Sequence, residues 1–418
     1  MAVTERTDRH RTTAVSRVAG ARSIRTLGRR IFGPMTNPVL DDARRLGPTV
    51  EARADEIESN RSVPLDLIDE IRPSQAFRLC VPEALGGPSI TAWEGLQVVE
   101  EYAYHDGSVG WVVAISSTSS LMASYLTDPW SKTIFGDPRS ITGGYAAPAG
   151  KATPVDGGLR VSGTWQWGSG TKHATWIGGG CMVVGDDGKP APRADGLAFP
   201  YVFFDLDDVE FVDTWHVSGL AGTGSVDYTV RDAFVPEGRW VQIGVDPPIR
   251  ENAFARFSFY GLLALGIAAT SVGIARRSID ELVELAATKR PQGSRRPLSD
   301  RSPIQADTAI AEAKLRSAWG FVETVVNDTW NLATSGVEPS EEQRRLLRLS
   351  ATHATQTAAE CTELMYKAAG GAAVYKTSQI QRCFRDVFVA TQHAMVAPRT
   401  YELAGRIRLG LETDTRQL

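Results

Sequence analysis

The order in which the hydrophobic period changes along the chain limits its architecture more than any other feature. From about residue 38 to 135 apolar residues recur at the helical spacing of about 3.6. Within PLDLIDEIRPSQAF this puts Leu65, Ile68 and Ile71 on one face. VPEALGG closes that unit with a glycine pair, and the next two helical stretches break near Asp106-Gly107. Between about 141 and 245 the period drops to about 2, in short runs rich in β-branched and aromatic residues: GLRVSGTWQWGSG, WIGGGCMVVG, YVFFDLDDVEFV and VDYTVRDAFVP. DGG, DDG and AGTG separate them as turns, which predicts about six to eight strands. After Pro247-Pro248 the helical period returns, with Val272, Ala275, Ile279, Leu282 and Ala286 as an apolar stripe. Further amphipathic segments follow near 303–334, 340–369 and 378–408.

Helices, then strands, then helices, with no strand–helix–strand alternation, argue against a Rossmann or P-loop architecture. The expected fold is α+β. An N-terminal helical domain (38–140) precedes a central antiparallel β-domain (141–248) and a C-terminal antiparallel four-helix bundle (249–418). Residues 1–37, rich in Arg, Thr and Ser and without a signal-peptide core, read as a disordered extension. The longest apolar run, FYGLLALGIAATSVGIA at 259–275, is broken by glycines and small polar residues and reads as a core helix, not a membrane span.

A net charge of -4 offers no basic field for nucleic acid. Cys80, Cys181, Cys361 and Cys383 have neither disulfide nor zinc spacing, which points to a reducing cytoplasm and no metal site.

Three stretches contain residues that can do chemistry. In GTWQWGSGTKHATW, strand alternation places Trp165, Trp167 and Ser169 on one face, as a core surface or as the wall of a flat aromatic ligand. Gly168, Gly170 and the run 178–180 fit close backbone approach to such a ligand. In DTWHVSGLAGTGSVDYTVRDAFVP, Gly219, Gly222 and Gly224 with Thr223 and Ser225 form either a plain strand connection or a loop whose N–H groups hold a cofactor edge. In RCFRDVFVATQHAM, Arg382, Arg385, Asp386 and His393 fall in a helical segment. There Arg382 can pair with Asp386 four residues on, and His393 lies two turns beyond Asp386 on roughly the same face. An imidazole beside such groups suits proton transfer near neutral pH. His105 and His173 read as helix-end and loop residues.

Taken together, VPEALGG, DGSVGW, SGTWQWGSG, WHVSGLAGTGS, FVPE and the closing GG…QRCFRD…H resemble the acyl-CoA dehydrogenase fold superfamily over nearly the whole chain after residue 38. Two departures from true dehydrogenases make it more similar to the two-component flavin-dependent monooxygenases, such as the hydroxyphenylacetate and secosteroid phenol hydroxylases. AAPAGKA at 146–152 replaces their Thr-Glu-Pro flavin motif, and His393-Ala394 stands where their catalytic Glu-Gly would be. A dehydrogenase would need its carboxylate base elsewhere, for example at Glu251.

The resemblance implies reduced flavin, FADH2 or FMNH2, delivered by a separate NAD(P)H:flavin reductase. With O2 it gives a C4a-hydroperoxide that hydroxylates an aromatic or polycyclic substrate. His393 would deprotonate or orient that substrate, and Ser169 would face the flavin N5 or hydroperoxide edge. Trp165, Trp167, Ser169, Gly170, Gly370, Gly371, Arg382 and Arg385 are the implied cofactor residues, the arginine pair contacting flavin phosphate unless it is engaged internally. Trp111, Ser116 and Ser119 are candidates for the substrate pocket. A homotetramer is also implied. N-oxygenation of an amine or amino sugar, or dehydrogenation of an acyl thioester, are the rival activities on this scaffold.

Overall fold

The computed structural model describes residues 37–418, so the extension expected over 1–37 lies, apart from Asn37, outside the described residues. Six helices come first: α1 (Pro38–Ala52), α2 (Ala54–Asn60), α3 (Leu65–Ile71), α4 (Ala92–His105), α5 (Gly107–Ser120) and α6 (Asp128–Phe135). Their starts are written in the sequence. The Asn37 side chain accepts from Leu40 N–H ahead of Pro38, and Thr91 with Glu94 forms a reciprocal capping box. The break at Asp106-Gly107 is a cap too, because the Asp106 carboxylate accepts the N–H groups of Ser108 and Val109. On α3 the expected face holds only in part: Ile68 and Ile71 are buried, whereas Leu65, in the first turn, is 62% exposed.

A seven-stranded sheet follows: β1 (Thr142–Val155), β2 (Gly158–Gly168), β3 (Trp176–Val183), β4 (Tyr201–Phe204), β5 (Val209–Val212), β6 (Val226–Pro236) and β7 (Trp240–Val241). Their order across the sheet is β5-β6-β2-β1-β3-β4-β7. The sheet is mixed, not purely antiparallel, since β1 runs parallel to β3 and every other neighbour is antiparallel. Period-2 patterning reports which face a residue takes and is blind to strand direction, which is why that pair was illegible.

Six more helices complete the chain: α7 (Ala253–Arg256), α8 (Phe259–Thr288), α9 (Ser302–Thr334), α10 (Glu341–Ala369), α11 (Gln379–Ala390) and α12 (Arg399–Arg408). The Val272–Ala286 stripe of α8 is buried at all five expected positions. By length and composition α8 is the one helix among the described residues able to cross a membrane, but 78% of its most apolar window is buried inside the protein. It packs against α4 and α5 and also against α10 and α11, which joins the N-terminal helices to the C-terminal layer. The segment expected to be one helix over 378–408 is two, because α11 stops at Ala390 and a run of turns leads to α12. α5, in turn, packs on α8, on β1 and on the segment around Ala221–Thr223, so its residues reach all three layers.

Candidate active site

Strand β2 does not keep a strict alternation to its end. Its pairing with β6 shifts register between Trp165 and Gly168, and Trp167 takes a left-handed φ of 57°. A bulge of this kind turns a side chain away from the face that alternation assigns it. Trp165 and Trp167 therefore part company. Trp165 is fully buried, stacks on Tyr228 at 5.3 Å and donates its indole N–H to the Gly180 carbonyl at 2.8 Å. Trp167 is 57% exposed, its ring in a T-shaped contact with Tyr145. The expectation of two adjacent indoles walling a ligand is overturned: Trp165 belongs to the core of the sheet.

The glycine run 178–180 has the same explanation. A Cβ on Gly179 would sit 2.7 Å from the Trp165 ring, and one on Gly178 only 2.1 Å from the Tyr201 hydroxyl. Gly178 and Gly179 thus make room for core aromatics, while a Cβ on Gly180 would lie 2.2 Å from the Ala146 carbonyl of the neighbouring strand β1.

Ser169 lies just beyond β2, in a turn closed by its own N–H to the Trp167 carbonyl at 2.8 Å. The next residue, Gly170, has φ of 70° and donates its N–H to the Thr223 carbonyl at 3.1 Å. This fastens the end of β2 to the glycine-rich segment 219–225. The Ser169 hydroxyl is buried and touches two groups: the Trp111 indole N–H at 3.0 Å and the Ser225 hydroxyl at 2.7 Å. Ser225 in turn meets the Thr223 hydroxyl at 2.7 Å, and Thr223 donates to the Leu220 carbonyl at 2.8 Å.

The other end of the site comes from the turn after α11. His393 is not on that helix, so the expected stripe from Asp386 to His393 does not form. The turn that carries it is held instead just beyond His393, by 3.0 Å and 3.2 Å bonds from Arg348 to the Met395 carbonyl and from Gln356 to the Val396 carbonyl, both donors lying on α10. The imidazole Nδ1 accepts the Met395 N–H at 3.2 Å. Burial, with the Arg348 charge second, pushes its pKa down to about 4, so the ring is neutral near pH 7. With Nδ1 used as an acceptor, the neutral ring carries its proton on Nε2.

Trp111 links the two ends. Its ring lies edge-on to His393 with centroids 5.8 Å apart, while its N–H is the one bonded to Ser169. Two residues separated by more than two hundred positions thus share one side chain.

The remaining predicted residues are placed as follows. Ser116 is on α5, with its hydroxyl buried and without a hydrogen-bond partner; Ser119, on the same helix, faces Tyr201. Arg382 does not pair with Asp386. Its guanidinium binds Asp55 and, at 2.9 Å, Glu58, and Arg385 binds Glu58 at 2.6 Å and the Ser218 carbonyl at 2.6 Å. Within this chain both arginines are thus occupied by carboxylates of α2. Asp386 instead accepts the Leu220 N–H at 2.6 Å. Burial and the nearby Asp106 charge push the Asp386 carboxyl up to about 7. Gly219 sits so close to α11 that a Cβ there would lie 2.3 Å from the Arg385 carbonyl. Gly370 caps α10 at φ of 57°, and added Cβ atoms on Gly370 and Gly371 would touch essentially nothing. Glu251 is exposed and paired with Arg256, which leaves it a poor buried base. His105 bonds Glu51 at 3.0 Å and His173 the Val63 carbonyl at 2.8 Å, each at the helix end or loop expected of it.

Sequence reasoning missed the bond from Trp111 to Ser169, the role of Asp386 at Leu220, and the hydroxyl chain. The only signal was compositional, since Thr223 and Ser225 were visible in the AGTGS loop without any sign of what they faced.

The arrangement suits a reduced flavin. Ser169 offers an unused hydroxyl acceptor in a buried setting, and the exposed face of Trp167 stands two residues away.

The chain is similar to known proteins over most of its length. Residues 40–128 match the family described as Acyl-CoA dehydrogenase, N-terminal domain, and residues 265–398 match Acyl-CoA dehydrogenase, C-terminal domain. An indole-3-acetate monooxygenase of Pseudomonas putida is 29% identical over 90% of this chain and 94% of its own length. The oxygenase subunit HsaA, a flavin-dependent monooxygenase of Rhodococcus jostii, is 30% identical over 88% of this chain and 97% of its own. Among solved structures, a 3-HSA hydroxylase from Rhodococcus superposes with a TM-score of 0.84 at 28% identity, covering 91% of this chain and 99% of that one. The chain therefore belongs to the flavin-dependent monooxygenases of the acyl-CoA dehydrogenase fold, as the oxygenase component of a two-component system.

Proposed function

We propose that this protein hydroxylates an aromatic or polycyclic small molecule at a site bounded by Ser169, Trp111 and His393. The observation that supports it best is the Trp111 side chain, bonded to Ser169 and edge-on to His393. Bound reduced flavin supplies the electrons that activate O2, from which one oxygen atom goes to the substrate. Ser169 and Gly170, with the exposed face of Trp167, would hold it.

His393 has a narrower role than a general base. The neutral ring presents Nε2–H, a donor, because Nδ1 is committed to Met395. It therefore holds and polarises a substrate oxygen, stabilising negative charge there as the ring becomes electron-rich. Trp111 and the buried wall of α5 keep water from the reacting centre, which limits loss of reduced oxygen as peroxide. Ser116, with its unpartnered hydroxyl on the same helix, is the group we assign to a polar substituent of the substrate.

The aromatic class is supported by relatives named for indole-3-acetate, for 3-HSA and for p-hydroxyphenylacetate. The partner is a flavin reductase. A homotetramer fits the exposed apolar residues Val374, Tyr375 and Phe388 on and before α11. The test is turnover with enzymatically reduced FAD or FMN, isotopically labelled O2 and a panel of phenols and indoles. A product carrying one labelled oxygen is expected. Reduction of bound flavin by an acyl-CoA, with no oxygenated product, would overturn the proposal.

A further inference from the structure

Counting protons along the buried hydroxyls gives a direction to the Ser169 side chain. A hydroxyl has one proton to donate and two lone pairs to accept with. Thr223 gives its proton to the Leu220 carbonyl, 2.8 Å away, which can only accept. The 2.7 Å contact between Thr223 and Ser225 is then a hydrogen bond only if Ser225 is the donor. The same count at the next step makes Ser169 the donor in its 2.7 Å contact with Ser225. Trp111 N–H, a donor only, takes one Ser169 lone pair. What Ser169 has left is a single lone pair and no proton.

The far end of this chain is anchored firmly enough to hold that direction. Leu220 has a left-handed φ of 52°, its N–H is bound to Asp386, and its carbonyl also receives the Trp215 indole N–H at 3.3 Å. All three hydroxyls are buried, so no bulk water competes for their protons.

We propose that Thr223 and Ser225 are positioning residues that lock Ser169 as a hydrogen-bond acceptor, and that this makes the site prefer reduced flavin over oxidised flavin. The inference rests on the reading above, in which Ser169 lies against the flavin edge. N5 of reduced flavin bears a hydrogen and donates; N5 of oxidised flavin has only a lone pair, which would face the lone pair of Ser169. An oxygenase fed by a separate reductase works among both forms, and a fixed acceptor separates them without any conformational change. The lost hydrogen bond and the opposed lone pairs together correspond to a preference of roughly tenfold or more.

The experiment is equilibrium binding to the full-length protein, with anaerobic titration of reduced FAD and FMN and aerobic titration of the oxidised forms, each giving a ratio of dissociation constants. In Thr223→Val, isosteric at the position, Ser225 loses its acceptor and turns its proton to Ser169, which frees the Ser169 proton for the flavin. The reduced-over-oxidised ratio should fall about tenfold. Thr223→Ser keeps the hydroxyl and should keep the ratio. Ser225→Ala, which also removes the acceptor for the Ser169 proton, should fall with Thr223→Val and serves in its place if that variant does not fold. An unchanged ratio in both disrupting variants overturns the inference, as does an equal fall in Thr223→Ser, which would mark a shape effect. If the wild-type protein binds no reduced flavin, the functional reading itself falls, an outcome distinct from binding without preference.

Discussion

Ser169 and His393 stand at opposite ends of one Trp111 side chain, yet the protein treats them differently. At Ser169 every proton is directed by the chain itself, through Ser225, Thr223 and Leu220. At His393 the turn is pinned just beyond it, at the Met395 and Val396 carbonyls, by Arg348 and Gln356, but the imidazole has a single hydrogen bond, at Nδ1. The polarity of the first is set by folding. That of the second is completed by whatever meets Nε2. A buried network satisfied internally resists change, whereas a group left open to a ligand can respond to it.

The largest expected effect tests what anchors the Ser169 end. Trp165→Ala should destabilise the protein by about 3–5 kcal/mol, because it empties a fully buried site, while Trp167→Ala, two residues on and exposed, should stay within about 0.5 kcal/mol. Chemical denaturation of both variants checks this; equal losses would return Trp167 to the core. At the other end, His393→Ala should lower product formation about 100-fold and raise peroxide release, with less than about 1 kcal/mol of stability lost. His393→Asn, which can still present an N–H, should recover part of the activity. If it recovers none while the alanine variant still binds flavin, the donor role is wrong and a base is required.

A smaller effect is expected where α11 meets the loop. Asp386→Ala removes the acceptor of Leu220 N–H and should cost about 1–3 kcal/mol, whereas Asp386→Asn keeps an acceptor and should lose less. The smallest effect is in pH. Asp386 has its pKa raised to about 7, so the folded state binds a proton that the unfolded state has already released. The contribution of Asp386 to stability therefore falls as pH rises from about 4 to about 7 and is flat above. His393, lowered to about 4, acts in the opposite sense: its contribution is complete above about 6.5 and is lost as pH falls toward 4. Melting temperatures from pH 4 to 8 for wild type, Asp386→Asn and His393→Ala should separate the two slopes, and parallel curves would refute both assignments.

Much of this was legible beforehand for reasons that can be named. The break at Asp106-Gly107 and the stripe on α8 are local, each decided by residues within a few positions. The bulge at Trp167 was not, because alternation assumes a regular strand and nothing in SGTWQWGSG marks where the pairing with β6 slips. The helix end before His393 was hidden likewise, since TQHAM has no glycine or proline to stop a helix. Arg382 and Asp386 fit the spacing of a helical pair. The partners they actually have, on α2 and at Leu220, lie more than one hundred and sixty positions away.

The sequence by itself determined the succession of helix, strand and helix, the buried character of α8 and the residue types available for chemistry, because periodicity and capping act over a few residues. Which indole is core, which carboxylates hold the arginines, which nitrogen of His393 carries its proton and which way the Ser169 hydroxyl points were decided only by the tertiary structure. A hydrogen bond depends on atoms within about 3 Å, and here those atoms come from α5, the end of β2, the 219–225 loop and the turn after α11.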